Sequence, residues 1–447
     1  MPAGNPILDL KETLLMRLFL PCVAVAVLFT TMCSAPLSAS ADVPGTVHHP
    51  KAKQPHLVET RRKATRKAAS GAQKSAHPAA RTAKSGKVPA KSAGRAASGG
   101  RVQRTSTVRR RRYSGERFTA NSFSTTQGDG DIIAGEDPTI RAAAIDALGN
   151  MNGTAVVINP ANGRILAMVN QKLALSPGAE PCSTIKLSVG LAALSEGLVT
   201  RDTPVNLGGF RMNMTDALAH SNNLYFEELG RELGFERVRH YATQFGLGEL
   251  AGYNIQGEQL GTYPEQELSA KEGGVGRMCS FGQGVSMTPL QLGAFVAAIA
   301  NGGTLYYLQH PTTQADAASF ESKVKRTLDI ARFVPDLQDG MAGAVEYGTA
   351  RSLRVNFHEL PVFGKTGTCS DKGTRFGWFA SFSDSPMGSL VTVFFLEGGR
   401  PVFGPRAAEL TGLFYRSLWD RNYFTPGGPT PVQAQALNQT QPGSTRS

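Results

Sequence analysis

The sequence predicts a mixed α/β fold of the α+β type, with helices packed on one antiparallel sheet. A hairpin pattern opens the folded region, apolar helical patterns fill its middle, and three strand-like runs follow one another near its end. Strands at both ends of a domain pair into a single antiparallel sheet, and the helices between them cover its apolar surface.

Composition turns globular near residue 130. Residues 153–169, GTAVVINPANGRILAMV, place two apolar runs around an Asn162-Gly163 turn signal, a hairpin pattern. From Thr184 the run IKLSVGLAALSEGL predicts an apolar helix, and MTDALAHSNNLYFEELGRELG continues in helical periodicity. HYATQFGLGE ends a helix at a glycine, and TPLQLGAFVAAIANGG is another apolar helix closed by a glycine pair. The runs PVFGKTGT (361–368), FGWFASFS (376–383) and SLVTVFFLE (389–397) are joined by short turn-rich segments, as in a meander. PRAAELTGLFYRSLWD (405–420) predicts a final amphipathic helix. There is no internal repeat. The expected organisation is a targeting or anchoring segment over 1–41, a disordered basic linker over 42–130, the folded domain over 131–422 and a loose tail over 423–447.

Charge is distributed unevenly along the 447 residues. Residues 51–112 hold 19 Lys or Arg against the single acid Glu59, a net of +18 within a chain total of +12. Residues 113–447 carry −5, so the basic character belongs to a segment and not to the folded body. That segment is rich in Ala, Ser, Gly and Lys and nearly free of large apolar groups, too little to offset the entropy of ordering. It reads as a cationic tether or as an arm for an anionic wall polymer or membrane surface. The N-terminus decides against nucleic acid. After Arg17 an apolar run extends from Leu18 to Met32, followed by the small-x-small pattern Ala39-Ser40-Ala41. This length suits a signal-peptide core, and adding Leu14 to Met16 would make an uncleaved anchor. Either way the remainder is exported, periplasmic or otherwise outside the cytoplasm. Cys182, Cys279 and Cys369 then lie where disulfides are permitted, and three cysteines allow one intramolecular bridge at most.

Three short motifs carry chemistry: Ser183-Thr-Ile-Lys186, Ser221-Asn-Asn223 and Lys365-Thr-Gly-Thr368. Each alone has a plain reading, as a helix cap with a surface lysine, a polar helix turn or a strand end. Together they fit one another. A serine hydroxyl needs a base within hydrogen-bond reach, and a lysine three residues along a helix lies on the same face. A free lysine, with a pKa of about 10.4, is too basic for that task at neutral pH, so burial beside another cation must lower it. Lys365 would be that cation and Ser221 a relay between the two lysines. If Ser183 begins its helix, the helix dipole also favours a developing oxyanion. The eight His are scattered without ligand spacing, so no metal and no cofactor is expected.

In this order the motifs resemble those of the serine acyltransferases that react with penicillin, the penicillin-binding proteins and serine β-lactamases. The stretches ALAHSNNLYFEELGRELGFERVRHYATQFGLGE, YNIQGEQLGTYP, SFGQGVSMTPLQLGAFVAAIANGG and LQDGMAGAVEYGTA are similar to the transpeptidase domain of penicillin-binding proteins, over roughly residues 140–420. The resemblance implies helices on both faces of the sheet plus an all-helical subdomain, the β-lactamase/transpeptidase-like fold. It implies Ser183 as acylated nucleophile, Lys186 as base, Ser221 as proton relay and Asn223 as holder of the substrate backbone. Lys365, Thr366, Gly367 and Thr368 would form the strand that receives the terminal carboxylate of a D-Ala-D-Ala stem peptide or a β-lactam, and the N–H groups of Ser183 and Thr368 the oxyanion hole. The chain departs from many relatives in its compactness: 13 residues separate Val169 from Ser183, and residues 43–130 lack a folded pedestal. A stripped-down, monofunctional D,D-transpeptidase is the expectation.

A serine β-lactamase, a D,D-carboxypeptidase and a non-catalytic β-lactam sensor or wall-binding module are the alternatives. Glu258 is the tempting hydrolytic base for the first, although a structural role in its loop fits the family pattern better. The implied oxyanion hole brings the neighbours Cys182 and Cys369 close together. Carbapenem-hydrolysing serine β-lactamases resemble this arrangement, so a Cys182–Cys369 bridge with Cys279 unpaired is expected. Two small buried thiols are the alternative.

Overall fold

The computed structural model describes residues 117–426. The targeting segment, the basic segment 51–112 with most of the expected linker, and the end of the tail lie outside the described residues. Five strands build the central sheet: β1 (Gly153–Asn159), β2 (Arg164–Val169), β3 (Val362–Asp371), β4 (Thr374–Ser385) and β5 (Gly388–Gly398). Their order is β2-β1-β5-β4-β3, antiparallel throughout. The N-terminal hairpin therefore joins the C-terminal meander through β1 and β5, with Val156 opposite Val393. β3 is an edge strand. Its join to β4 holds Lys372 at φ 46° and Gly373 at φ 80°, the paired positive angles of a two-residue hairpin turn. The meander strands outrun their apolar runs because polar pairs, Asp371 with Thr374 and Ser385 with Gly388, continue the ladder.

The α-helices of six residues or more are α1 (Pro138–Leu148), α2 (Lys186–Ser195), α3 (Met214–Ala219), α4 (Asn223–Leu233) and α5 (Phe235–Gln244). They continue with α6 (Gly274–Phe281), α7 (Pro289–Ala300), α8 (Val334–Glu346) and α9 (Gly404–Asp420). Alternate residues of each strand point to opposite faces, so the sheet feeds two cores. Ala155, Val157, Phe379, Phe394 and Leu396 pack with α1 and α9 through Ile140, Ala144, Leu410 and Phe414. Val156, Ile158, Trp378, Ala380, Phe382 and Val393 pack with α7 and the helical lobe beyond it. Gly293 permits this contact, since a Cβ there would lie 2.6 Å from Ile158 Cδ1. The entry to α7 is closed by a capping box between Thr288 and Gln291. Helices thus cover both faces of the sheet, as expected.

Two local differences bear on the site. The helical periodicity through 214–234 is broken: α3 stops at Ala219, Ser221 takes φ 55°, and Asn222 caps α4 by accepting from the Tyr225 N–H at 3.0 Å. Ser and Asn offer the backbone such local bonds, which compete with a continuous helix. The helix expected from Thr184 is preceded by a 3₁₀ turn over Cys182–Ile185 and becomes α-helical at Lys186. The fold also includes residues 117–130, which composition assigns to the linker. The Thr119 N–H donates to Gly373 O at 2.9 Å and the Asn152 N–H to Ser122 O at 2.8 Å. Backbone pairing of this kind leaves no mark in apolar content. Phe424, on the tail side of the expected boundary at 422, is buried beside Tyr415 and Trp419.

Candidate active site

The three motifs meet where the 3₁₀ turn, the α3–α4 break and β3 converge. Lys186 lies one turn beyond Ser183 and is fully buried. Its Nζ is 2.7 Å from Ser183 Oγ, 2.7 Å from Asn223 Oδ1, 2.7 Å from Ser280 O and 3.4 Å from Ser221 Oγ. Lys365, equally buried, approaches from the strand, with Nζ 2.8 Å from Ser221 Oγ and 3.0 Å from Thr366 O. Ser221 therefore stands between two lysines. Its left-handed backbone, a strained state for a residue with a Cβ, is what turns the hydroxyl toward both.

Burial, reinforced by the neighbouring Lys365 charge, holds the Lys186 ammonium well below its ordinary range, with Glu227 pulling weakly the other way. Burial alone lowers Lys365 to about 7. The hydrogen bonds around Lys186 also accommodate the deprotonated form. A neutral amine has two hydrogens and one lone pair, whereas Asn223 Oδ1 and Ser280 O only accept. As a neutral amine Lys186 would donate to those two oxygens and keep its lone pair to accept from the Ser183 hydroxyl at 2.7 Å. That is the geometry of a base over its nucleophile.

Along β3 the side chains alternate. Lys365, Gly367 and Cys369 face the nucleophile turn, where a Cβ on Gly367 would lie 2.9 Å from Pro181 O. Cys182, itself at φ 52°, is joined to Cys369 by a disulfide, with Cα atoms 5.5 Å apart. Trp378 on β4 adds a third tie, its Nε1–H donating to Glu180 O at 3.0 Å. Thr366 and Thr368 lie on the other face of the strand. The Thr366 hydroxyl pairs with that of Thr349 at 2.7 Å, and Thr368 Oγ1 accepts from the Gly404 N–H at 2.7 Å. Ser183, Lys186, Ser221, Asn223 and Lys365 are thus brought into one hydrogen-bonded group, while the two threonine hydroxyls form separate contacts beside it.

Sequence reasoning missed the Ser280 carbonyl, Glu227 and Thr349. A backbone acceptor has no side-chain signature. Thr349 lies in the EYGTA stretch, which carried the resemblance without a role. Phe281 was also missed: its ring centroid is 5.9 Å from Lys186 Nζ and 3.9 Å from the Arg277 guanidinium carbon. Glu258 is occupied structurally, its carboxylate accepting from the N–H groups of Ala251 and Gly252. Cys279 is buried and free of a disulfide, and burial pushes its thiol up.

The fold and the site together are an antiparallel sheet between helical layers, with a serine and two buried lysines meeting at its edge. Residues 153–399, more than half of the chain, match the family described as Penicillin binding protein transpeptidase domain, and the chain belongs to that family. It is 31% identical over 257 residues to stage V sporulation protein D of Bacillus subtilis, covering 48% of this chain and 39% of that protein. It is 24% identical over 361 residues to peptidoglycan D,D-transpeptidase MrdA of Acinetobacter baumannii, covering 64% and 53%. To FtsI of Escherichia coli K12, also named a peptidoglycan D,D-transpeptidase, it is 25% identical over 235 residues, covering 44% and 39%. The chain spans from 39% to 53% of the length of these relatives. Pseudomonas aeruginosa PBP2 in complex with WCK 5153 shares the fold with a TM-score of 0.56 and 21% identity, over 66% of this chain and 79% of that one. A peptidoglycan glycosyltransferase from Burkholderia ambifaria does so with a TM-score of 0.54 and 18% identity, over 68% and 98%.

Proposed function

We propose that this protein is a penicillin-binding D,D-transpeptidase that cross-links peptidoglycan through an acyl-enzyme on Ser183. The observation that carries this is the buried, pKa-lowered Lys186 at 2.7 Å from Ser183 Oγ, tied through Ser221 to Lys365. In the first half-reaction Ser183 Oγ attacks the carbonyl of the penultimate D-Ala as its proton passes to Lys186 Nζ. The peptide C–N bond then breaks, and the departing D-Ala amine takes a proton through Ser221. In the second half an acceptor amine attacks the ester and loses a proton to the same base, and Ser183 regains its hydrogen. Asn223 holds the substrate backbone, and the Ser183 and Thr368 N–H groups stabilise the oxyanion. The Lys365–Thr368 edge receives the terminal carboxylate. A β-lactam follows the first half and stops there.

The occupied carboxylate of Glu258 favours transfer over hydrolysis, because it is held by backbone N–H groups of its own loop. The work would be done outside the cytoplasm, where the cationic segment 51–112 tethers the domain to an anionic wall polymer or membrane surface and not to nucleic acid. A pentapeptide ending in D-Ala-D-Ala, offered with and without an amine acceptor, tests the reading. D-Ala release with a new cross-linked product is expected. Equal D-Ala release with no cross-link would mark a carboxypeptidase. Rapid turnover of a chromogenic cephalosporin would mark a β-lactamase.

A further inference from the structure

The loop after α8 touches both the second and the third motif. Thr349 donates its backbone N–H to Ala219 O at 3.1 Å, two residues before Ser221, and the next residue, Ala350, donates to Ala344 O at 2.7 Å. Gly348 makes this approach possible, since a Cβ there would lie 2.1 Å from Ala219 O. The Thr349 backbone is therefore pinned on both sides, and its hydroxyl is presented to Thr366 Oγ1 at 2.7 Å. Thr366 is 4% exposed and follows Lys365 on the edge strand.

Two hydroxyls hold two protons, and one hydrogen bond uses only one of them. Among the described residues neither hydroxyl has another side-chain or backbone partner. A spare donor proton therefore lies at the sheet edge, on the residue whose carbonyl accepts from the buried Lys365 at 3.0 Å, and an anion is the partner that suits it. When Thr349 donates, the spare proton belongs to Thr366, and the chain Thr349–OH to Thr366–OH to carboxylate is polarised in one direction. We infer that Thr349 is a positioning residue, whose hydroxyl aims the Thr366 O–H at the terminal carboxylate of stem peptide or β-lactam. The inference rests on the serine-acylation reading above.

The test is the acylation kinetics of the full-length chain with benzylpenicillin, resolved into the dissociation constant of the pre-covalent complex and the limiting acylation rate. Thr349→Val keeps shape and loses the hydroxyl, and Thr349→Ser keeps the hydroxyl. With T349V the dissociation constant should rise about tenfold, the worth of one charge-assisted hydrogen bond, while the limiting rate stays within about twofold. T349S should restore wild-type affinity. The methyl ester of benzylpenicillin, which lacks the carboxylate, should bind wild type and T349V alike. Unchanged affinity in T349V, a loss confined to the limiting rate, or T349S as weak as T349V would overturn the inference and leave Ser183 acylation standing. Should T349V not fold, Thr349→Ala read by the same two constants decides. Wild-type protein that benzylpenicillin never acylates would defeat the underlying reading instead.

Discussion

At the scale of single residues the site is built from groups held in unfavourable states. Two lysines are buried without a carboxylate partner within ion-pair distance among the described residues, and Ser221 and Cys182 sit at positive φ. Lys365 gives this a measurable sign. Its ammonium titrates near 10.5 in an unfolded chain and at about 7 in the fold. Between those values the unfolded chain holds a proton that the folded chain has released, so stability rises with pH across the window. Below about 7 both states are protonated, and the cost of the buried cation is fully present. Lys365→Met should therefore raise Tm over wild type more at pH 6 than at pH 9. A difference independent of pH would contradict the burial account. The serines and lysines themselves were legible because chemistry demands those residue types at that spacing. The partners Ser280 O and Thr349 were not, since one is backbone and the other acts through a loop whose path only the fold fixes.

At the scale of elements, the contact of the nucleophile turn with the edge strand decides whether the site is assembled. Gly367 allows the approach, Trp378 anchors the turn at Glu180, and the Cys182–Cys369 bridge fastens it. The two cysteines are separated by 187 positions, and closing a loop of that size is worth roughly 5 kcal/mol in the chain-entropy model, an upper figure. Peptide mapping without reductant should recover the two sites as one linked peptide, with Cys279 free. The double variant Cys182→Ala/Cys369→Ala should lose up to about 10 °C in Tm and acylate more slowly. Free thiols at both positions, or unchanged melting and acylation, would rule the clamp out. The strands were legible because their apolar runs are long and bounded by turn residues. The helix break at 220–222 was not, because apolar periodicity continues across it while Asn222 restarts the helix through a local cap. α8 was also hidden. Its Gly340 and Gly343 are poor helix formers, yet a Cβ on Gly340 would lie 2.6 Å from Leu218 Cβ, so close packing against α3 decides its conformation.

At the scale of the whole chain, a folded body of slight negative charge follows a segment of +18. The two cores lie on opposite faces of one sheet, and the strand that carries Lys365 is at its edge. The site residues named above all belong to the described body, so the contribution expected of the segment is to location, through charge that salt screens. Removing residues 51–112 should leave penicillin acylation unchanged and abolish salt-sensitive cosedimentation with phosphatidylglycerol vesicles or an anionic wall polymer. Binding that survives the deletion would move the partner site onto the body.

The central claim is that Ser183, activated by Lys186, becomes an ester. Mass mapping of the protein after incubation with benzylpenicillin tests this directly. The account predicts one equivalent of penicilloyl adduct on the peptide that contains Ser183, absent from Ser183→Ala and strongly reduced in Lys186→Ala. No adduct on wild type, or an adduct that persists at the same level in Ser183→Ala, would contradict it.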